Sequence, residues 1–226
     1  MTDSSVPVFA SWLMGGATLP GFILTALIAY LFGSIPFGLL LTRAAGLGDI
    51  RSIGSGNIGA TNVLRTGNKP LAAATLLLDA GKAIVAVLVT RTLLSNPGVP
   101  VGGDAAWPLY LAAIAVFAGH CFPVWLNFKG GKGVAVVIGS LLALSWPVGL
   151  IFCAVWLLIA FTRKMSSLAA LTAAATAPIF AYVFVDEWLA GTVSVLAVLL
   201  FYQHRTNIAR LIAGTEPTIG SGKKAV

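Results

Sequence analysis

The chain has 226 residues, of which 58% are hydrophobic and only 9% are charged, and its formal net charge is +7. Soluble domains carry about a quarter charged residues, so the composition excludes an ordinary soluble domain and predicts one membrane-embedded helical bundle over 1–226. The positive charge could suggest nucleic acid, but no basic run or zinc-type spacing accompanies it. We therefore expect no nucleic acid partner, no metal and no cofactor.

The N-terminal stretch from Met1 to Pro7 contains Asp3 and lacks the cationic region of a signal peptide. The first apolar segment is therefore predicted to be a retained anchor. The two cysteines, Cys121 and Cys153, lie in or beside apolar runs, so a disulfide framework is not expected.

Apolar runs suited to membrane helices, which need about 20 residues each, recur along the sequence. The run 134–162 is 29 residues long and contains Pro147, which removes a helical hydrogen bond and disfavours helix at Trp146. We divide this run into two, while six spans with one long kinked helix remain the alternative. The predicted spans are 20–42, 70–94, 107–126, 134–145, 147–162, 166–184 and 188–203, followed by a polar tail at 204–226.

Loop charges predict the orientation of an all-α membrane protein with about seven spans. The side opposite the basic loops receives Arg91 with Asp3, Asp104, Asp186 and Glu187, and Lys82 lies inside a span. Because basic loops stay cytoplasmic, we expect the N-terminus outside and the C-terminus inside. The cytoplasmic side receives twelve of the fourteen Lys and Arg residues: Arg43, Arg51, Arg65, Lys69, Lys129, Lys132, Arg163, Lys164, Arg205, Arg210, Lys223 and Lys224.

The first chemically informative loop follows Gly33-Ser34-Ile35-Pro36 and runs from Asp49 to Arg65. Its segment Gly54–Gly59 matches G-x-G-x-x-G, but no strand precedes it, and Asp79, 20 residues on, lies in an apolar helix. A dinucleotide site is therefore excluded. Small residues can still open backbone N–H groups to phosphate, and the loop adds Asn, Thr and Arg side chains, so it favours anion binding over a plain flexible loop.

The second loop contains His120 and continues through Phe128-Lys129-Gly130-Gly131-Lys132-Gly133. It lacks the Walker A spacing, yet two lysines around a glycine pair favour a phosphate site over a topology loop alone. His120 by itself is more typical of a packing residue. The third segment carries His204, Asn207, Arg210 and Glu216, whose helical face either is solvated or completes a pocket with the other loops.

Asp79 and Lys82 lie three residues apart in the second predicted span, so they can pair on one helix face. Charges inside a membrane are costly and indicate a functional site. A structural ion pair near the cytoplasmic end is an equally good interpretation.

With these segments, the sequence resembles the bacterial acyl-phosphate:glycerol-3-phosphate acyltransferase family. The resemblance covers nearly the whole chain except the stretch before residue 20, and it includes seven helices. It implies transfer of a fatty acyl group from acyl phosphate to the 1-hydroxyl of glycerol 3-phosphate at the cytoplasmic side of the bacterial inner membrane. Acyl-CoA and acyl-carrier-protein donors are not expected, and the chain lacks the H-x-x-x-x-D box of unrelated acyltransferases. The soluble enzyme that makes acyl phosphate is a candidate partner.

On this resemblance, we expect Ser34, the 54–57 backbone, Lys129 and Lys132 to hold the acyl-phosphate head, whereas Arg51, Asn62, Arg65, Asn207 and Arg210 hold glycerol 3-phosphate. The donor's own phosphate can accept the hydroxyl proton, with His204 or His120 as the fallback base. The predicted catalytic residues are Lys132, Ser34 and His204. The predicted substrate-binding residues are Arg51, Gly54, Ser55, Gly56, Asn57, Thr61, Asn62, Arg65, His120, Lys129, Gly130, Gly131, Asn207, Arg210 and Glu216.

Two other classes remain open on the residues alone. An anion transporter or channel would use the same cationic loops, but it predicts charge deep in several spans and paired broken helices, neither of which is visible. A scaffold protein would explain the spans and leave the three polar segments without a role.

Overall fold

A computed structural model describes residues 19–93, 103 and 106–219, and the secondary structure of this part of the chain is helical throughout. Met1–Pro7, Asp104, Lys223 and Lys224 lie outside the described residues. The helices are α1 (Leu19–Gly33), α2 (Phe37–Ala44), α3 (Ala60–Val63), α4 (Lys69–Leu93), α5 (Trp107–Cys121), α6 (Val134–Leu144), α7 (Trp146–Arg163), α8 (Ser166–Phe184), α9 (Glu187–Gln203) and α10 (Arg205–Ile212), with 3₁₀ turns at Ile50–Ser52, Leu64–Thr66 and Val124–Leu126.

The outer surface of the bundle is apolar, as expected for a protein that faces lipid. Leu77 is 70% exposed and Phe161 is 77% exposed, and many other large apolar side chains also point outward. The interior is built largely from small residues such as Ala113, Ala173 and Ala177, which let the helices approach each other closely.

Five stretches are long and apolar enough to cross a membrane, namely Leu19–Ala44, Lys69–Thr92, Trp107–Leu126, Trp146–Arg163 and Ser166–Phe184. Helices α6 and α9 are apolar but shorter, with 11 and 17 residues. At 1.5 Å per residue, α6 extends only about 16 Å, roughly half of a ~30 Å bilayer core. An all-helical bundle with several candidate spans is therefore confirmed, whereas the count of seven and the orientation stay predictions.

The predicted first span, 20–42, is not one helix, because the chain breaks at Ser34–Pro36 between α1 and α2. Pro36 has no N–H to continue the helical ladder, so nearby carbonyl groups need other donors. Trp125 Nε1 donates to Ser34 O at 2.6 Å, and Lys82 Nζ donates to Ile35 O at 2.7 Å. The break therefore ties α1 to α4 and to the segment after α5.

Glycines fix how the helices cross. A Cβ atom on Gly33 would lie 2.1 Å from Val116 O, and one on Gly119 would lie 2.2 Å from Tyr30 O, so α1 and α5 are in backbone contact. A Cβ atom on Gly139 would lie 2.1 Å from Ala80 O, which brings α6 equally close to α4. These contacts fix how α1 packs on α5 and how α6 packs on α4, and polar residues of the site lie on or next to these helices.

Helices α6 and α7 are separate, and Ser145 between them is extended, with φ −154° and ψ 97°. Pro147 stands in the first turn of α7, where a missing N–H costs no helical bond. The long apolar run therefore becomes a short helix followed by a longer one.

The stretch 204–226 is not simply a polar tail. Residues Arg205–Ile212 form α10, and the chain then returns to α7–α8, where Ile219 N donates to Lys164 O at 2.6 Å. Glu216, which was predicted to bind substrate, is held by three side chains as described below. Residues 220–226 lie outside the described part.

Candidate active site

One cavity of about 900 Å³ lies where the three polar segments meet. The segments are far apart in sequence and are brought together by α4, α5, α6 and α9. Of the residues predicted for the site, those lining the cavity are Gly54, Ser55, Asn57, Thr61, Asn62, Arg65, His120, Lys132, His204, Asn207, Arg210 and Glu216.

The remaining predicted residues are not among those that line this cavity: Ser34, Arg51, Gly56, Lys129, Gly130 and Gly131. Ser34 is buried, and its hydroxyl donates to Tyr30 O at 2.8 Å. Lys129 is exposed and lies outside the cavity, although it is only three residues from Lys132.

Asn62 organises the first loop from within. Its buried Nδ2 lies 3.0 Å from Ile50 O, 3.1 Å from Ile53 O and 2.8 Å from Asn57 O, while its Oδ1 accepts from Ser55 N at 3.1 Å. These contacts use the hydrogen-bonding capacity of the amide. Asn62 therefore shapes the loop around the cavity, and its side chain has no group left for the substrate role we predicted.

Gly54 is required by the close packing of this loop. Its φ of +59° is a left-handed conformation, and a Cβ atom there would lie 2.3 Å from Asn62 Oδ1 and 2.6 Å from Arg65 Nη1. A side chain at residue 54 would therefore displace Arg65, a cation that lines the cavity.

Arg51 forms an ion pair on the surface instead of facing the cavity. Its Nη2 lies 2.5 Å from Asp49 Oδ2 and its Nε lies 2.9 Å from Asp49 Oδ1, and Arg43 contacts the same carboxylate at 3.1 Å. Hydrogen bonds from Arg51 hold the pKa of Asp49 well below its usual range. The charge of Arg51 is thus compensated inside its own loop.

The second loop is fixed by backbone pairing. Gly130 N donates to Cys121 O and Gly131 N donates to His120 O, both at 3.0 Å. Lys132 then turns into the cavity, and Gly133 precedes α6 in a left-handed conformation with φ +86°. The first residues of α6, Val134 and Ala135, also line the cavity, so the N-terminus of this 11-residue helix faces it.

The second and third segments meet in a polar network. Lys132 Nζ donates to Asn207 Oδ1, and Asn207 Nδ2 donates to Glu216 Oε1 at 2.6 Å. Ser167 Oγ also donates to Glu216 Oε1 at 2.6 Å, and Arg210 Nε donates to Glu216 Oε2 at 2.7 Å. Ser167 was not predicted, and only its position at the start of a helix could have indicated a polar role.

The network sets the charges of its members. Burial lowers the pKa of Lys132 to about 8, and the neighbouring charge of Arg210 acts in the same direction. Burial would raise the pKa of Glu216, but hydrogen bonds from Ser167, Asn207 and Arg210 outweigh it and lower the value. At neutral pH the network therefore holds a protonated lysine beside an ionised glutamate.

His204 is buried directly after α9 and lines the same cavity. Its Nδ1 lies 2.8 Å from Leu200 O, a carbonyl that can only accept, so this nitrogen carries the proton. Burial lowers the pKa of His204 to about 4, and the ring is neutral near pH 7. Its Nε2 is then an acceptor, although a ring with this pKa is a weak base for an alcohol.

Asp79 and Lys82 pair as predicted, with Lys82 Nζ 2.7 Å from Asp79 Oδ1, and both side chains are buried. Asp79 and His120 are both buried and line the cavity. Lys69 and Trp156, which were not predicted for the site, also line it. Within residues 19–93, 103 and 106–219, no three His, Cys, Asp or Glu side chains lie close enough to hold a metal ion.

Comparisons with known proteins agree on one family. A family model described as glycerol-3-phosphate acyltransferase matches residues 23–214. The glycerol-3-phosphate acyltransferase of Cereibacter sphaeroides is 57% identical over 198 residues, which cover 88% of this chain and 94% of the relative. The enzyme of the same name from Rhodopseudomonas palustris is 56% identical over 202 residues, or 89% and 98% of the two chains.

A solved structure is similar over nearly the same length. It is PlsY, an integral membrane glycerol 3-phosphate acyltransferase, in its glycerol 3-phosphate form; the TM-score is 0.80 at 35% identity, covering 89% of this chain and 96% of that chain. Its lysophosphatidic acid form gives a TM-score of 0.78 at 34% identity, with the same coverage.

Proposed function

The chain belongs to the glycerol-3-phosphate acyltransferase family of integral membrane proteins, and from this premise we propose the donor and the product of its reaction. The donor is acyl phosphate, the acceptor is the 1-hydroxyl of glycerol 3-phosphate, and the products are lysophosphatidic acid and inorganic phosphate. The similar solved structure has been described in a glycerol 3-phosphate form and in a lysophosphatidic acid form, which supports this acceptor and this product.

The observation that carries the proposal is the combination of surfaces in the cavity. Arg65, Lys132 and Arg210 are among the lining residues of the cavity, and their charges can bind two phosphate groups. Leu76 and Trp156 also line it, and Leu76 is 43% exposed at the surface of α4. A substrate with a phosphate head and a fatty chain matches this combination, and its chain can extend past Leu76 towards lipid.

We assign the acyl-phosphate head to Lys132, to the backbone at Gly54 and Asn57, which line the cavity, and to the N-terminus of α6. Amide groups at the start of a helix favour phosphate, and here the free end of the helix stands next to a lysine. Arg65, Asn207 and Arg210 then hold glycerol 3-phosphate. Ser34, Arg51 and Lys129 have no place in this assignment because they lie outside the cavity.

The reaction requires little covalent chemistry from the protein. The glycerol 1-oxygen forms a bond to the acyl carbonyl carbon, the bond from that carbon to the phosphate oxygen breaks, and the departing phosphate takes the hydroxyl proton. Lys132 and the α6 amides stabilise the developing negative charge. Both oxygens of Glu216 accept hydrogen bonds within the protein, so Glu216 is not assigned the role of base.

The donor is tested with purified protein in lipid vesicles. We expect palmitoyl phosphate and glycerol 3-phosphate together to release inorganic phosphate and form lysophosphatidic acid in equal amounts. Palmitoyl-CoA replaces palmitoyl phosphate in the matched reaction and should give no product. Equal activity with both donors would contradict the proposed donor, and uptake of labelled glycerol 3-phosphate without acylation would favour a transporter.

We also propose that the active site faces the cytoplasm across the bacterial inner membrane, since the basic loops are predicted on that side. In a variant with Cys121 and Cys153 replaced by alanine, a single cysteine is introduced at Lys164 or at Glu187. A membrane-impermeant thiol reagent applied to intact cells should label residue 187 and leave residue 164 unlabelled. The reverse pattern would contradict the orientation.

A further inference from the structure

Lys82 is the most enclosed cation next to the cavity, and it is 4% exposed. A lysine ammonium group has three N–H donors and no acceptor. Nζ of Lys82 has three partners: Ile35 O at 2.7 Å, Asp79 Oδ1 at 2.7 Å and His120 Nδ1 at 3.0 Å. Two of these contacts have hydrogen-bond geometry, those to Ile35 O and His120 Nδ1, and the carboxylate of Asp79 balances the lysine charge as an ion pair.

The contact with Lys82 determines the state of His120. An ammonium group can donate a hydrogen bond but cannot accept one. In the contact between Lys82 Nζ and His120 Nδ1, the ring nitrogen must therefore supply its lone pair. In the neutral ring, the proton therefore lies on Nε2, because the hydrogen-bond partner of one ring nitrogen fixes the tautomer of the other.

The Nε2 edge of His120 lies against the loop that carries Lys132. A Cβ atom on Gly131 would stand 2.0 Å from His120 Nε2, so only glycine leaves room for this edge of the ring. The ring itself lines the cavity, and its Nδ1 edge is turned to Lys82. Because Lys82 occupies Nδ1, the ring nitrogen left for a ligand in the cavity is Nε2, which a ligand reaches alongside Gly131.

We propose that His120 is a neutral hydrogen-bond donor to an oxygen of the acyl-phosphate head, with its proton fixed on Nε2 by Lys82. The identity of this ligand rests on the proposed function. Lys82 and Asp79 are positioning residues: the lysine fixes the tautomer, and the aspartate balances the buried charge. His120 does not remove the glycerol proton, because Nδ1 is occupied by Lys82 and Nε2 is already protonated.

The two histidines of the chain consequently have opposite tautomers. His204 donates from Nδ1 to Leu200 O and presents Nε2 as an acceptor, whereas His120 accepts at Nδ1 and presents Nε2–H. The cavity thus offers one imidazole donor and one imidazole acceptor, and neither ring changes its protonation state in the reaction.

The tautomer can be measured without substrate. The chain contains two histidines, so His204→Asn leaves His120 as the single ¹⁵N-histidine signal of the labelled full-length protein in lipid nanodiscs. We expect the proton of His120 on Nε2, and we expect Lys82→Met to move it to Nδ1 or spread it over both nitrogens. A proton on Nδ1 in the presence of Lys82, or an unchanged tautomer in the folded variant, would overturn the proposal.

Lys82→Met leaves Asp79 as an unpaired buried charge, which is strongly destabilising. The double variant Asp79→Asn/Lys82→Met removes both charges and serves when the single variant does not fold. The same NMR outcomes then decide the role of Lys82.

Activity separates a donor from a packing residue. In His120→Asn the side-chain oxygen can still accept from Lys82, but no group reaches the former Nε2 position. In His120→Gln the amide N–H can reach that position. We expect His120→Asn and His120→Ala to lower kcat/KM for acyl phosphate about 100-fold, as removal of one transition-state donor does, and His120→Gln to stay within about tenfold of the natural enzyme.

Equal losses in the glutamine and asparagine variants, with the Nε2–H tautomer confirmed by NMR, would overturn the donor role. Loss of the acidic limb of the pH–rate profile in His120→Gln would indicate a base and would also overturn it. Failure of the natural protein to consume acyl phosphate would contradict the proposed function, while the tautomer result, obtained without substrate, would stand by itself.

Discussion

Two clusters of the molecule combine two cations with one carboxylate, and they differ in what surrounds them. Arg43 and Arg51 share Asp49 on an exposed loop. In the cavity, Arg210 pairs directly with Glu216, and Lys132 is linked to the same carboxylate through Asn207. Ser167 also donates to Glu216. In the surface cluster the carboxylate of Asp49 offsets part of the arginine charge, and solvent screens the remaining positive charge. In the cavity the charge is partly buried and can act on a bound phosphate.

The sharpest test of this comparison is the pair Lys132→Ala and Lys129→Ala, which removes one lysine inside the cavity or one outside it. Loss of a cation that stabilises the developing charge should reduce kcat by about 10²- to 10³-fold. Lys129→Ala should keep activity near that of the natural protein. Both rates are measured as phosphate release with palmitoyl phosphate and glycerol 3-phosphate. Comparable losses of kcat in the two variants would contradict the inference that Lys132, and not Lys129, acts in the cavity.

The carboxylates should differ in their effect on stability. Glu216→Gln removes a charge that three donors contact in a half-buried place, so we expect the free energy of unfolding to fall by about 1–3 kcal/mol. Asp49→Asn weakens exposed ion pairs and should cost less than about 1 kcal/mol. Denaturation followed in detergent micelles measures both. A larger loss of unfolding free energy for Asp49→Asn would mean that the surface cluster contributes more to stability than the cluster in the cavity.

The Glu216 contribution should also depend on pH in a defined direction. Its pKa is lowered in the folded state, so its stabilising contribution is present above the ordinary glutamate pKa and disappears as the pH falls through the folded value. The difference in unfolding free energy between the natural protein and Glu216→Gln should therefore shrink under acidic conditions.

The pH profile of activity should report Lys132. Its ammonium group, with a pKa of about 8, is protonated at pH 7 and loses its proton as the pH rises through 8. Since the proposed role of Lys132 requires this charge, we expect kcat to fall about tenfold per pH unit above that pKa. In Lys132→Arg the guanidinium stays charged, so the alkaline fall should move to higher pH. A profile that keeps its alkaline limb in Lys132→Arg would assign the titration to another group.

The smallest effect is expected from the surface cluster itself. Arg51→Ala breaks an exposed ion pair worth at most about 1 kcal/mol and should change kcat/KM less than about fivefold. Arg65→Ala is the matched change inside the cavity and should raise the KM for glycerol 3-phosphate much further. If Arg51→Ala proved the more damaging of the two, the surface arginine would have to reach the substrate in a conformation other than the one described.

Much of the general organisation could be predicted from sequence. The apolar runs indicate the helices, Pro147 indicates the division between α6 and α7, and the spacing of Asp79 and Lys82 indicates their pairing. These features depend on neighbours within a few residues. Two glycine-rich loops and a polar C-terminal segment also indicated one shared phosphate-binding region.

Side-chain direction could not be predicted in the same way. Lys129 and Lys132 flank the same glycine pair, and only the pairing of Gly130 and Gly131 with the end of α5 decides which lysine enters the cavity. Asn62 looked like a ligand because amides bind phosphate, yet its contacts hold the loop itself. The contact from Lys132 to Asn207 joins residues 75 positions apart, and no local pattern encodes it.

The segment that closes the cavity has a consequence for biosynthesis. Glu216 and residues 217–219 line the cavity, and they are translated after every helix that the structure describes. A nascent chain can therefore insert its apolar helices while the binding site still lacks one wall. Acyl transfer should therefore begin only after this segment has been synthesised and has reached Ser167 and Lys164.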